Sequence, residues 1–165
     1  MLKRSLVLAG LMIVLLSLAA CTAQSERAGG WRALDAGMDL TLEHKAGPQG
    51  QAALGLFYSI TSGQICALEQ QIASEGLVGL PPLRFWAKAA RVLHLAIVLA
   101  DDSGVEHECA LTLAPGGWRE LLCAEFLPPV SDWGAVRTMR VEDRTGMLGG
   151  QGPVSLKLAG LPLDE

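Results

Sequence analysis

Alternation of apolar and polar side chains, not a helical period, organises this chain from about residue 38 onward. Runs rich in β-forming residues recur between Gly, Pro and Asp turns. They predict strands at 38–44, 52–61, 64–73, 83–90, 92–101, 106–113, 118–125, 135–143 and 153–160. Turns fall at Gly47-Pro48, Ser62-Gly63, Gly79 to Pro82, Asp101 to Gly104, Pro115-Gly116-Gly117, Pro128-Pro129 and Gly149 to Pro153. Such regular spacing predicts an all-β sandwich or barrel.

The alternation also assigns faces. In 83–90, Leu83, Phe85, Ala87 and Ala89 share one face, and Arg84, Trp86 and Lys88 the other. In 92–99 the apolar row is Leu93, Leu95, Ile97 and Leu99, with His94 and Ala96 facing away. Cys109, Leu111 and Leu113 point inward and Glu106 and Glu108 outward, while Leu121 and Cys123 continue the inward set. Residues 64–75 compete as an amphipathic helix, because Ala, Leu, Glu and Gln favour one. Ile65 follows a turn, however, and neighbouring strands would lose a partner, so a strand is expected there.

The first 21 residues break the pattern. Lys3 and Arg4 form a basic start, 5–18 is an apolar run, and Leu18-Ala19-Ala20-Cys21 ends it. The run is short for a bilayer span of ~20 residues, and small residues before a cut site typify cleavage. The segment resembles a bacterial lipoprotein signal peptide with its lipobox. The resemblance implies that the Cys21 thiol receives a diacylglycerol, that the chain is cut before it, and that the new amino terminus is acylated. Two or three acyl chains at ~0.8 kcal/mol per buried CH2 give stable membrane attachment. Thr22 is not the aspartate that favours inner-membrane retention in that family. The implied location is the bacterial envelope, at the outer membrane facing the periplasm. Residues 1–20 read as signal peptide, 21–30 as a lipidated flexible tether and 31–165 as one β-sandwich domain.

Charge narrows the partners. Of 13 basic residues, Lys3 and Arg4 leave with the signal peptide, so residues 21–165 hold 11 against 17 acidic ones, a net charge of −6. No basic stripe exists to neutralise phosphates, which argues against nucleic acid. Cys66, Cys109 and Cys123 follow the lipidated cysteine, an odd number in an oxidising compartment. No Cys/His spacing suggests a metal site, and no cofactor is implied.

Residues 53–163 carry a cadence: ALGLFYSI, LRFWAKA, LHLAIVLADDSG, GWRELLCAEF, VRTMRVED and VSLKLAGLPL. It resembles galactose-binding-like jelly-roll domains, in the branch shared by some carbohydrate-binding modules and the complex I intermediate-associated family. Trp118, Leu121, Cys123 and Phe126 fall on that family's third element, and Met139, Val141 and Asp143 on its fourth. Leu158-Ala159-Gly160-Leu161 replaces a stretch that usually carries an aspartate, so no ligand role tied to that aspartate is carried over. The resemblance implies an antiparallel sandwich and a non-catalytic binding module.

Trp86 is the first candidate for a binding surface. Beside Arg84 and Lys88 on an outward face, its indole can stack on the C–H face of a sugar, with the cations reaching the hydroxyl rim. Packing under a loop is the competing account. If 83–90 and 92–99 pair through the Ala90-Arg91 turn, His94 joins this set. Trp118 and Trp133 read as packing residues, and Tyr58 as buried with a bonded hydroxyl. His44 and His107 stand alone, Asp35, Asp39 and Glu43 read as a solvated edge, and Asp101 to Gly104 reads as an ordinary turn. If Pro115-Gly116-Gly117 closes a hairpin, Cys109 and Cys123 lie opposite each other and could bridge. If 118–125 crosses to the other sheet, both stay reduced in the core. No nucleophile, zincin or P-loop motif is present, and no enzyme is expected. The sequence thus points to an envelope-anchored module for glycan or polysaccharide, with a protein-interaction module as the alternative.

Overall fold

The computed structural model describes residues 27–73, 77 and 82–162. Eleven strands run β1 (Arg27–Ala28), β2 (Trp31–Ala33), β3 (Asp39–Glu43), β4 (Ala53–Ile60), β5 (Cys66–Gln71), β6 (Leu83–Ala89), β7 (Leu93–Asp101), β8 (Glu106–Leu113), β9 (Arg119–Cys123), β10 (Val136–Asp143) and β11 (Gly152–Ala159). They form two antiparallel sheets, ordered β1-β2-β5-β10-β7-β8 and β3-β4-β11-β6-β9. The fold is the expected β-sandwich, and β3 to β11 occupy the nine expected stretches.

Inward rows from both sheets make one core. Leu93, Leu95, Ile97 and Leu99 of β7 meet Leu54, Leu56, Phe85 and Leu156 from the other sheet, all essentially inaccessible. β5 is a strand despite its helix-forming composition. Pairing with β2 on one side and β10 on the other satisfies its backbone and buries Cys66 and Leu68; tertiary pairing overrides local propensity.

Three expectations change. First, residues 27–30 are not tether: β1 and β2 form a hairpin through Gly29 and Gly30, both at positive φ. Trp31 is fully buried and its Nε1 donates to the Pro162 carbonyl at 2.8 Å, joining the start of the sandwich to its end. Second, β6 and β7 do not pair across Ala90-Arg91. Their apolar rows face the same core from opposite sheets, and the chain arches between them. Alternation records which face is apolar, not which strand is the neighbour. β7 carries buried Ala96 and Val98 on its second face too, and takes β10 and β8 as partners. Arg91 Nη1 to the Gln151 carbonyl at 2.7 Å holds the arch. Third, Pro115-Gly116-Gly117 closes no hairpin: β8 and β9 belong to different sheets.

Candidate functional site

The outer face of the five-stranded sheet follows from register. Asp39, Phe57 and Ser155 form one row. Thr41, Gly55, Lys157 and Lys88 form the next. Glu43, Ala53, Ala159, Trp86 and Glu120 form a third, with Arg84 and Leu122 beyond it. Trp86, Arg84 and Lys88 therefore share the outward face expected of them. Trp86 is half-buried, and Arg84 and Lys88 are exposed.

The sheet adds residues that no local pattern singles out. Phe57 is 56% exposed, an unusual position for a phenylalanine in the middle of a strand. Two strand spacings and four residues of rise separate it from Trp86, roughly 16 Å by ideal sheet dimensions. Between the two rings lies a polar strip. Lys157 Nζ reaches Glu43 Oε2 at 2.6 Å, two strands away. Gly55 makes that reach possible, because a Cβ there would lie 2.5 Å from Glu43 Oε1 and 2.7 Å from Thr41 Oγ1. A cleft of about 480 Å3 beside the strip is lined by Lys88, Ala89, Ala90, Pro115, Gly116, Ser155 and Lys157. The Gly116 N–H bonds the Ala89 carbonyl at 2.9 Å and fixes the wall of this cleft against the end of β6.

His94 is not part of this face. It lies on β7 in the six-stranded sheet, because β6 and β7 are not partners. It lines a separate cleft with Arg144, Met147 and Leu148, and its backbone N–H donates to Thr145 Oγ1 at 2.9 Å. His107 is not alone either. It is buried, with Nδ1 at 2.8 Å from the Pro128 carbonyl and Nε2 at 3.4 Å from Asp101 Oδ2. That pairing engages both ring nitrogens and ties the ring to the loop at Pro128.

Cys109 and Cys123 reach the core from opposite sheets as free thiols, with no disulfide between them. Burial pushes both thiols above the ordinary range, and the neighbouring Cys109 raises Cys123 further. Cys21 lies outside the described residues. Among those residues no three His, Cys, Asp or Glu side chains come together as a metal-ligating group.

No family model and no curated protein matches the chain in sequence. Solved structures do match in fold. The family 11 carbohydrate-binding module of the cellulosomal cellulase Lic26A-Cel5E of Clostridium thermocellum superposes with a TM-score of 0.52 at 13% identity, over 82% of this chain and 90% of that one. The Clostridium thermocellum family 11 module in complex with a β-1,3-1,4-mixed-linked tetrasaccharide gives 0.52 at 12%, over 85% and 94%. The agarase AgWH50C gives 0.59 at 10%, over 86% of this chain but 25% of the enzyme. The fold is thus the β-sandwich found in carbohydrate-binding modules. The agarase match covers only part of that enzyme.

Proposed function

We propose that this chain is a non-catalytic glycan-binding module, held at the bacterial envelope by lipid on Cys21. The observation that carries the reading is the outer face of the five-stranded sheet, where Phe57 and Trp86 flank a strip of Thr41, Glu43, Lys157 and Lys88. Sugars present C–H faces to stack on rings and hydroxyl rims to meet polar groups. The two rings offer the stacking surface and the strip between them the polar groups that orient a ligand, and the ring separation leaves room for more than one sugar. The neighbours named as carbohydrate-binding modules support the same reading through fold.

Retention of the purified protein on immobilised polysaccharides tests it. The protein should be retained by at least one polysaccharide class, and Trp86→Ala should lose retention while melting near the wild-type midpoint. A broad panel that retains nothing, or a mutant that binds as the parent does, would overturn the proposal.

A second reading has one observation of its own. Met147 and Leu148 are 55% and 68% exposed and adjoin the His94 cleft on the opposite side of the sandwich. Docking of another envelope protein there would use the sheet that the glycan face leaves free.

A further inference from the structure

Lys88 and Lys157 stand directly opposite each other on adjacent strands β6 and β11. Side chains so placed have Cβ atoms about 4.5–5.5 Å apart, and like charges there repel. The fold relieves half of the conflict. Glu43 draws the Lys157 ammonium toward β3, through the gap above Gly55. Lys88 has no ion-pair partner among the described residues. Its other same-face neighbour on β6 is the Trp86 ring, two residues away, and Ser155 adds a hydroxyl to the cleft. One cation is therefore uncompensated at the mouth of a cleft, on a chain whose residues 21–165 carry net negative charge.

We infer that this cleft takes an anionic glycan, with a carboxylate or sulfate on a ring seated between the Lys88 and Lys157 ammonium groups while the sugar stacks on Trp86. The inference rests on the glycan-binding reading and names its substrate class. An arriving anion removes the Lys–Lys repulsion and competes with Glu43 for Lys157. A neutral sugar does neither. The site is open to solvent, so attraction is screened by salt.

Matched polymer pairs test it by affinity electrophoresis: polygalacturonate against its carboxyl-reduced form, and dextran sulfate against dextran. The wild type should prefer at least one charged member, by roughly fivefold at low salt for a solvent-exposed pair, and the preference should shrink at high salt. The two pairs separate a carboxylate from a sulfate requirement. Lys88→Gln should lower the charged-to-neutral ratio toward one. Glu43→Gln, which frees Lys157, should raise it. Equal binding of charged and neutral members, both lost in Trp86→Ala, would overturn the anion inference and leave the glycan reading intact. Binding to none of the four polymers would also overturn it, and the glycan reading would then rest on the broader panel.

Discussion

The Tyr58 hydroxyl donates a 2.8 Å hydrogen bond to Asp143 Oδ2 across the core, from β4 in one sheet to β10 in the other, 85 residues on. Asp143 Oδ1 in turn accepts from the Thr145 N–H at 2.9 Å and from the Thr145 hydroxyl. Thr145 Oγ1 receives the His94 N–H. A single buried carboxylate thus ties three strands of two sheets together. Burial, and then the Asp143 carboxylate, hold the Tyr58 phenol well above its ordinary range, so it stays a donor at any pH the fold survives.

Tyr58→Phe removes one donor and leaves Asp143 with its Thr145 bonds. A hydrogen bond to a charged acceptor contributes ~1.5–3 kcal/mol, and the mutant should lose about that much in denaturant melts. An unchanged midpoint would show that the inter-sheet bond adds nothing to stability.

Adjacent residues on β6 should behave oppositely. Phe85 is 1% exposed, and Phe85→Ala should cost ~3–5 kcal/mol through lost burial and a cavity. Trp86→Ala should shift the melt far less while removing glycan retention. If both mutants lose stability equally, Trp86 belongs to the core and the binding face is wrong.

This pair also shows what could be read from sequence. Inward and outward positions along β6, β7 and β8 were legible, because period-2 alternation is a local property. Partners were not. His94 went to the other sheet, and Cys123 approached Cys109 from across the core, since two apolar rows satisfy alternation equally well in a hairpin or in an arch. Phe57 was missed for a related reason. Ala53 to Leu56 are buried without a break, so β4 does not alternate cleanly until its end. Lys157 and Glu43 become partners only through Gly55, a contact between three strands that no spacing along the chain reveals.

The cysteines give a chemical test. All three thiols are buried and unbridged, and burial pushes Cys66 up to about 11. At pH 8 the folded chain beginning at residue 22 should therefore react slowly with a thiol reagent, and three thiols should react once it is unfolded without reductant. A count of one would mean that two of the three have bridged, and peptide mapping would show whether the pair is Cys109 and Cys123.

Asp101 sets a limit at low pH. Its carboxylate accepts from Ser103 Oγ and from the Ser103 and Val105 N–H groups, which holds it down at about 2. The depressed value means that the 101–105 turn is stabilised fully above the ordinary carboxylate pKa of 3.8 and loses this contribution as pH falls through about 2. Carboxyl chemical shifts followed from pH 5 to 1.5 should place the Asp101 midpoint at about 2. Titration near 3.8 would show that the turn does not hold the charge.

Anchoring is tested at Cys21. Lipid transfer needs the thiol, so Cys21→Ser should abolish incorporation of a palmitate analogue and leave unprocessed chain in the membrane fraction. Undiminished label would remove the lipoprotein assignment.

Along β6 two messages are interleaved residue by residue: Leu83, Phe85, Ala87 and Ala89 are read by the core, Arg84, Trp86 and Lys88 by the solvent. Selection can rewrite the second message without disturbing the first. Single outward substitutions can change the exposed face while the backbone path stays the same. Inward positions need only stay apolar and of suitable volume, so they drift as well. The same backbone path can therefore be held at the 10–13% identity of the three structures superposed above.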